Sequence, residues 1–289
     1  MDNHADIIIM ARCQIMLKNG VFFVAASIVF VANSGKAGAA SVCSEAMRIA
    51  GEKGYRCYSF DPARPPSDEI LKDTVFLAAI GGDGTILKAV PFATAHDLPI
   101  LGINLGRVGF LSEILPSEFP SILDMLQAGS LHIERRMMIR CNVNGSHTYH
   151  CLNDVLLYKQ SFSGVAHISQ CIDGADAGTV FCDGMIVSTP TGSTGYSISA
   201  GGPIVSPGLD ACIIAPVCPH SLLARPIVTS ADAKLELRML SHGCLYADGQ
   251  KVLDVDPDDT VFVTRSEIQA KFLRVGAHNL YDLIREKLI

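Results

Sequence analysis

The chain has 289 residues, of which 49% are hydrophobic and 18% are charged, and its net charge is −6. This composition excludes a disordered chain, and the length is typical of two domains with a substantial core. The basic residues form no runs, so nucleic acid is not expected as a partner. The ten cysteines lack any C-x-x-C spacing, which is typical of isolated thiols in a reducing compartment and not of a disulfide framework or a zinc site.

The beginning of the chain allows two interpretations. Residues 21–32 are mostly apolar and follow two basic residues, as in a signal peptide, although the run is too short to cross a membrane. We favour a buried first strand over residues 28–32, because a helix and a second strand follow at the spacing of a βαβ unit. Residues 1 to about 20 have no role in that unit, and Met10 or Met16 could be the true start.

The segments that follow alternate between helical and strand patterns. This alternation predicts a Rossmann-like α/β domain with a parallel sheet over residues 21–128, in which ligands bind at the carboxyl ends of the strands. Ser41 is expected to cap the first helix. The predicted elements, in order, are helix 41–53, strand 55–60, strand 75–80, a helix after residue 85, strand 100–104 and helix 117–127.

After about residue 130 the pattern changes to short strand-like runs. These predict a second domain over residues 129–275, mostly antiparallel and of the β-sandwich type. The last segment, 276–289, contains an amphipathic helix over residues 279–288, which is expected to return to the first domain. The predicted strands are 136–142, 148–158, 166–172, 179–181, 185–188, 211–215, 234–240, 243–246, 251–255 and 260–265.

A glycine-rich turn, Gly81-Gly82-Asp83-Gly84-Thr85, lies between strand 75–80 and the next helix. Glycine there tolerates positive φ and lets a ligand approach the backbone, while free amides at a helix N-terminus attract an anion. We therefore expect Gly81, Gly82, Gly84 and Thr85 to form a phosphate cradle. The stretch is neither a Walker A loop nor a Rossmann dinucleotide fingerprint, since Leu87 stands where the fingerprint has its third glycine.

Asp83 is unexpected in a phosphate cradle, because its carboxylate repels phosphate. It makes sense if the carboxylate holds a metal ion or accepts the proton of a hydroxyl, which indicates phosphoryl transfer. The alternative is an ordinary glycine turn with Asp83 as a helix cap. A second glycine-rich stretch, residues 105–111, contains Arg107, a candidate for binding donor phosphate.

Residues 183–203 form another organised stretch, in which a buried strand opens into hydroxyl and glycine residues, then Tyr196, then Gly-Gly-Pro. Hydroxyls and free amides suit the base edges and ribose of a nucleotide, and an aromatic ring can pack on a base. A loop that serves only as a linker does not need that order of groups. The sequence therefore predicts a nucleotide-binding segment here.

Four pieces in one order make the chain resemble the NAD kinase family over about residues 28–289. They are the Gly81–Thr85 turn, the pair Asn153-Asp154, residues 183–203, and Asp248-Gly249-Gln250, with residues 219–226 matching as well. The glycine turn alone is weak, because phosphofructokinases and diacylglycerol kinases have similar turns. The Thr-Pro-Thr-Gly-Ser-Thr run with an upstream Asn-Asp pair is specific.

The resemblance implies transfer of the terminal phosphoryl group of ATP, or of polyphosphate in some members, to the 2′-hydroxyl of the adenosine ribose of NAD, giving NADP. It implies Asp83 as the catalytic proton acceptor and a divalent metal, usually Mg²⁺, whose ligands the sequence does not identify. It further implies a cytoplasmic homodimer or homotetramer, with NAD between an α/β domain and a β domain, and no membrane partner. The implied NAD-binding positions are Asp83, Gly84, Asn153, Asp154, His167, Asp183, Thr194, Gly195, Tyr196, Ser197, Ile198, Ser199 and Gln250.

Two positions depart from the family pattern. Gly195 stands where the family often has alanine, and glycine at this position makes the backbone before Tyr196 more flexible. Phe181 stands where many members carry a basic residue, so one ion pair to ligand phosphate is expected to be missing or supplied from elsewhere.

Two other functions stay open at this point. A lipid or sugar kinase of the same glycine-motif superfamily would share the turn, but it has no need of residues 183–203. A non-catalytic NAD-binding sensor would need residues 183–203, but it gains nothing from an acid at position 83.

Overall fold

The computed structural model describes residues 26–33, 35–61, 66–106, 109–276 and 280–288. The chain divides into two compact units, one formed by residues 1–135 and 270–289 and the other by residues 136–269. Met10, Met16 and Arg107, for which the sequence raised expectations, lie outside the described residues. Within the described part of the chain, no helix is long and apolar enough to cross a bilayer.

The first unit contains a parallel sheet with helices packed against it. Its elements are β1 (Ser27–Ala32), α1 (Ala39–Glu52), β2 (Arg56–Phe60), α2 (Asp68–Lys72), β3 (Thr74–Gly81), α3 (Asp83–Ala95), β4 (Pro99–Asn104), a 3₁₀ turn (Pro116–Glu118), α4 (Phe119–Ala128) and β5 (His132–Val143), whose last part belongs to the second unit. The parallel strands are ordered β2-β1-β3-β4. All eight residues of β3 are buried, as expected of a strand covered on both faces. The predicted parallel α/β sheet is confirmed.

Helix α1 begins earlier than the sequence predicted. Its N-cap is Gly38, in the left-handed conformation with φ 82°, so the prediction that Ser41 caps this helix is wrong. Glycine adopts that conformation without strain, whereas serine does not, and the chain turns at Gly38 before serine is reached. The helix stops as predicted at Gly54, where φ is 90°. Helix α2 was not predicted, because five residues are too few to show a helical period.

The second unit is almost entirely β-structure. After β5 come β6 (His147–Cys151), β7 (Asp154–Lys159), β8 (Ala166–Ile172), β9 (Ala175–Cys182), β10 (Gly184–Ser188), a 3₁₀ turn (Gly192–Thr194), α5 (Tyr196–Ser199), β11 (Ala211–Val217), β12 (Ile227–Ser230), β13 (Leu235–Met239), β14 (Gly243–Ala247), β15 (Gln250–Val255) and β16 (Val261–Arg274). One sheet has the order β12-β11-β10-β7-β14-β15, and the other joins β16, β13, β8 and β9 and includes the β5-β6 hairpin.

The two sheets of this unit share one hydrophobic core. Ile139, Ile168 and Leu235 from one sheet and Leu157 and Leu245 from the other belong to the same buried cluster. The pairings within each sheet are antiparallel. The predicted antiparallel sandwich is confirmed.

Several observed strands differ from the predicted ones; β9, for example, was predicted only over 179–181 but spans Ala175–Cys182. Residues 148–158 were predicted as one run, but β6 and β7 are separated by Leu152 and Asn153, whose amides bond to a side chain and not to a neighbouring strand. Strand β12 was not predicted. Strand β16 is longer than the predicted 260–265, and its end crosses into the first unit, where Phe272 pairs with Ile100 of β4.

The C-terminal helix, α6 (Leu280–Leu288), belongs to the first unit. The Nζ of Lys287 lies 4.7 Å from the centre of the Phe110 ring, a cation–π distance. The predicted return of this helix to the first domain is confirmed.

Candidate active site

The glycine turn connects the end of β3 to the start of α3. Gly81 ends the strand, Gly82 caps the helix in an extended conformation (φ −138°, ψ −170°), and Asp83 is the first helical residue. Positive φ occurs at none of Gly81, Gly82 and Gly84, so the expectation that the turn needs glycine for that reason is wrong. Space is the reason at Gly81, because a Cβ there would overlap the Oγ1 of Thr85.

The same turn offers an open backbone to a ligand. Gly84 is exposed, and a Cβ built on it meets no described atom within 4 Å. The 13-residue helix α3 places the positive end of its dipole at this turn. Thr85 is only 3% exposed, and its Oγ1 has no hydrogen-bond partner among the described residues. The open backbone and the helix dipole are the properties of an anion site at a helix N-terminus.

The carboxylate of Asp83 is held by the loop that follows β4. Its Oδ2 accepts a hydrogen bond from the backbone amide of Phe110 at 2.9 Å, and its Oδ1 accepts from the amides of Leu111 at 3.2 Å and Ser112 at 3.3 Å. An ionised carboxylate offers about four acceptor positions. One position on Oδ2 is therefore left for a ligand hydroxyl, and the side chain is half-buried and not enclosed in the core.

This loop depends on a glycine and a hydroxyl. The amide of Gly109 donates a hydrogen bond to the Oγ of Ser112 at 2.8 Å. A Cβ at position 109 would overlap the Oδ1 of Asp83. The carboxylate therefore occupies the space that the missing side chain leaves.

A buried ion pair anchors the other side of the loop. The Nη1 of Arg274, at the end of β16, lies 2.7 Å from Oε2 of Glu113 and donates to the carbonyl oxygen of Leu111 at 3.2 Å. Its Nε donates to Glu134 at 2.6 Å. The side chains of Arg274 and Glu113 are 7% and 1% exposed, so the loop is tied to the sheet by charges that solvent does not screen.

Lys36, in the loop after β1, was not singled out from the sequence. Its Nζ lies 3.1 Å from the position that a Cβ on Gly82 would occupy. No carboxylate in the described part of the chain pairs with it, although surface lysines often form such pairs. A free ammonium group beside the glycine turn adds positive charge to it. The sequence signal for Lys36 is its place in the glycine-rich turn after the first strand.

In the second unit, Asn153 and Asp154 lie at the junction between β6 and β7. The carboxylate of Asp248 accepts hydrogen bonds from the amides of Leu152, Asn153 and Asp154 at 2.8, 2.7 and 3.1 Å. The hydroxyl of Thr189 donates a hydrogen bond to the carbonyl oxygen of Leu152 at 2.5 Å. The backbone amide of Thr189 donates to the carbonyl oxygen of Asn153 at 2.9 Å. The turn is thus held from one side through its amides and from the other through its carbonyls.

The predicted nucleotide-binding segment packs against this turn. A Cβ on Gly195 would lie 3.6 Å from Nδ2 of Asn153 and 3.9 Å from Oδ2 of Asp154. Tyr196 is 45% exposed, and Ser197 is fully buried with an Oγ that has no partner among the described residues. Of the remaining positions in this segment, Thr194 and Ile198 are half-buried and Ser199 is exposed.

Asp183 and His167 have partners that the sequence did not indicate. Asp183 forms an ion pair with Lys159, with Nζ 2.6 Å from Oδ1. The ring of His167 packs edge-on against that of Phe181, with 4.3 Å between the centres, and both side chains are exposed. An exposed aromatic pair therefore includes Phe181, the position where the family resemblance led us to expect a missing ion pair.

Gln250 follows a tight hairpin turn. Asp248 and Gly249 have φ values of 45° and 77°, and Ala247 pairs with Gln250 across the turn. The hairpin signal read from Asp-Gly is confirmed. The same turn presents the Asp248 carboxylate to residues 152–154, a role that sequence reasoning missed.

Comparison with known proteins decides the family. The ATP-NAD kinase N-terminal domain matches residues 67–131, and the ATP-NAD kinase C-terminal domain matches residues 152–275. The chain is 43% identical to the NAD kinase of Moorella thermoacetica over 233 residues, which are 78% of this chain and 75% of that protein. The chain belongs to the NAD kinase family. A second NAD kinase, from Caldanaerobacter subterraneus subsp. tengcongensis, is 40% identical over 77% of this chain and 81% of that protein.

Solved structures of NAD kinases agree with the fold. An NAD kinase from Archaeoglobus fulgidus in complex with ATP superimposes with a TM-score of 0.72 at 29% identity, over 91% of this chain and 99% of that one. Yeast NADH kinase complexed with NADH superimposes with a TM-score of 0.82 at 22% identity, over 93% and 89%. The NAD kinase fold thus extends over nearly the whole chain.

Proposed function

We propose that this NAD kinase transfers the terminal phosphoryl group of ATP, or of polyphosphate, to the 2′-hydroxyl of the adenosine ribose of NAD, giving NADP. The observation that carries the proposal is Asp83 itself, a half-buried carboxylate at the start of α3 with one free acceptor position. In the reaction, Oδ2 accepts the proton of the ribose 2′-hydroxyl as the hydroxyl oxygen attacks the terminal phosphorus of the donor. The bond from that phosphorus to the bridging oxygen breaks, and ADP, or the polyphosphate shortened by one phosphate, leaves with the electron pair. General-base catalysis of this kind contributes roughly 10²- to 10⁴-fold in rate.

The glycine turn is proposed to hold the donor. The backbone at Gly84 is open, α3 directs its dipole at the turn, and Lys36 supplies a positive charge beside Gly82. Phosphoryl transfer relies mainly on position and on stabilisation of charge on the phosphate oxygens. Amides, a helix dipole and an ammonium group supply both.

NAD is proposed to bind the second unit through Asn153, Asp154 and the segment from Thr194 to Ser199, with His167, Asp183 and Gln250 as further positions. The turn that carries Asn153 and Asp154 is rigidly bonded, and Tyr196 is exposed enough to stack on a base. His167 offers a ring surface together with Phe181 and not an isolated imidazole.

Magnesium is proposed to arrive with the phosphates of the donor. No group of three or more His, Cys, Asp or Glu side chains that could hold a metal occurs among the described residues. Asp83 has three of its acceptor positions occupied by amides, so the protein groups of the turn do not form a metal site by themselves. Mg²⁺ commonly binds substrate phosphates and water with only one or two carboxylates, and we assign no proton transfer to it.

A homodimer or homotetramer in the cytoplasm is proposed as the working state. The second unit carries large exposed apolar side chains, with Phe162, Leu222 and Leu223 at 100%, 85% and 89% exposure, and a subunit interface would cover such groups. Light scattering during size-exclusion chromatography measures the mass, and a monomer at micromolar concentration would contradict this part of the proposal.

The central test is a direct assay. The purified protein is mixed with NAD, ATP and Mg²⁺, and NADP is detected with a dehydrogenase that uses only NADP. Parallel reactions contain polyphosphate as donor, or NADH or diacylglycerol as acceptor. NADP formation supports the proposal, whereas phosphorylation of the lipid alone, or NAD binding without turnover, would replace it with the lipid kinase or the sensor.

A further inference from the structure

Asp154 and Asp248 are two neighbouring carboxyl groups in the second unit, and the proposed proton transfer by Asp83 uses neither. Asp154 is 7% exposed, and Asp248 is half-buried. The amide of Asp248 donates to the carbonyl oxygen of Asp154 at 3.0 Å, and the amide of Asp154 donates to Oδ1 of Asp248 at 3.1 Å. Each residue therefore donates a hydrogen bond to the other, although both have carboxyl side chains.

The two carboxyl groups have opposite surroundings. Asp248 receives three backbone amides, from residues 152, 153 and 154. No group in the described ranges donates a hydrogen bond to the carboxyl of Asp154. The Oδ1 of Asn153 is likewise buried without a partner in this part of the chain. The hydrogen-bond acceptors of Asp248 are thus occupied by backbone amides. The side-chain oxygens of Asn153 and Asp154 remain available for a ligand.

We propose that Asp248 is a positioning residue for NAD: it fixes the backbone of residues 152–154, so that the side chains of Asn153 and Asp154 meet the dinucleotide in one orientation. This inference rests on the proposed function, in which that pair binds NAD. The hairpin supports it through its position: φ 45° at Asp248 is the left-handed conformation that Asp-Gly turns favour, and the turn brings the Asp248 carboxylate to the amides of residues 152–154.

The charge of Asp248 also acts on its neighbour. Burial, and then the charge of Asp248, raise the pKa of Asp154 to about 7. Burial raises the pKa of Asp248 as well, but the three amides oppose that rise, so of the two it is Asp154 that carries the proton. Cys151 at the end of β6 lies close to both acids, and Arg136 of β5 reaches Thr191, with Nη1 3.3 Å from Oγ1. Below about pH 7 Asp154 is a hydrogen-bond donor, which suits an acceptor nitrogen or oxygen on the ligand.

The test compares Asp248→Asn with Asp258→Asn. Asp258 is exposed in the turn between β15 and β16 of the same unit, so its change removes the same charge without touching residues 152–154. In D248N an amide group replaces one of the oxygens that accept the backbone amides. Loss of such charge-assisted hydrogen bonds corresponds to an effect of about tenfold or more. At pH 6.5 we expect D248N to raise KM for NAD by about tenfold, with KM for ATP and kcat within about threefold, and D258N to match the wild type.

The pH dependence of KM for NAD distinguishes positioning of the ligand-binding pair from a purely structural role of Asp248, which would not change that dependence. KM for NAD of the wild type is expected to be constant below about pH 6 and to rise above about pH 7, as Asp154 loses its proton. Asp154→Asn is expected to abolish this rise, because an amide does not titrate, and D248N is expected to move it to lower pH.

The outcomes separate the inference from the proposed function. A wild type that makes no NADP contradicts the proposed function. A wild type that makes NADP, with a KM for NAD that is flat from pH 5.5 to 8.5 or that still rises in D154N, overturns the inference alone. A folded D248N with unchanged KM for NAD overturns it too, and if D248N does not fold, the wild-type and D154N series still decide.

Discussion

The backbone amide of Phe110 donates a hydrogen bond to Oδ2 of Asp83 at 2.9 Å, which ties the first residue of α3 to the loop after β4. The contact joins positions 27 residues apart in sequence. The next two amides of the same loop donate to Oδ1. The carboxylate therefore cannot rotate without losing hydrogen bonds to this loop. Its orientation toward a ligand is set before any ligand binds.

Asp83→Asn tests the proton acceptor. The amide side chain has nearly the same shape but cannot accept a proton, so kcat is expected to fall by about 10²- to 10⁴-fold, while NAD still binds in a calorimetric titration. Because one NH₂ group would then face a backbone amide, a small loss of stability is also expected. Turnover at the wild-type rate would refute the assigned role.

Gly109→Ala tests the space that Asp83 occupies. A Cβ at this position overlaps Oδ1 of Asp83, so the carboxylate must move, and a displacement of about 1 Å in a catalytic group can cost about 10²-fold in rate. Gly106→Ala is the matched control, since a Cβ at Gly106 meets no described atom within 4 Å. Equal kcat values for the two variants would show that this displacement of Asp83 does not affect the rate of catalysis.

Lys36→Ala tests the positive charge beside the glycine turn. If the ammonium group binds donor phosphate, KM for ATP is expected to rise by about tenfold, the effect of one charge-assisted hydrogen bond, and KM for NAD is expected to stay constant. Lys234→Ala, at an exposed lysine just before β13, is the control for loss of charge. A rise in KM for NAD but not for ATP would assign Lys36 to the other substrate.

Arg274→Met tests the buried ion pair behind the loop. The substitution removes the guanidinium group that neutralises the buried carboxylate of Glu113, which keeps its hydrogen bond from the amide of Val275, and removal of one partner of a buried ion pair costs about 3–5 kcal/mol of unfolding free energy. Urea denaturation measures this loss, and we expect kcat to fall as the loop that holds Asp83 loosens. The double variant R274M with Glu113→Gln should recover part of the stability, because it removes the charge that was left buried.

Asp154 predicts a pH-dependent stability with a definite sign. Its folded-state pKa is about 7, raised first by burial and then by Asp248, and the unfolded value is about 3.9. The folded state therefore holds the extra proton between these values, so this contribution to stability is complete below about pH 4 and is lost as pH rises through about 7. Between pH 5.5 and 7 the unfolding free energy should fall by about 2 kcal/mol.

Asp154→Asn separates this effect from the other titrating groups. The difference in unfolding free energy between the wild type and D154N, from urea denaturation at several pH values, should change in favour of D154N as pH rises. A difference that is independent of pH would mean that Asp154 is ionised throughout.

Local patterns in the chain were sufficient to predict the two kinds of domain. Continuous apolar runs such as β3, with all eight residues buried, and helices of ten residues or more carry their periodicity in neighbouring positions. The Asp248-Gly249 turn was readable from two neighbouring residues that favour positive φ, and the apolar face of the last helix indicated that it packs against a domain. Elements of four or five residues, such as α2 and β12, show too few positions to carry a period.

Motif order likewise located the glycine turn, the Asn153-Asp154 pair and the segment from Thr194 to Ser199. What these residues touch could not be read from the chain. The bonds from Phe110 to Asp83, from Leu152 to Asp248 and from Thr189 to Leu152 join positions 27, 96 and 37 residues apart. Only the folded backbone brings such groups within 3 Å of each other. Neighbouring residues determine which element forms, whereas packing between distant elements determines which carboxylate is held, which is buried and which keeps a free oxygen.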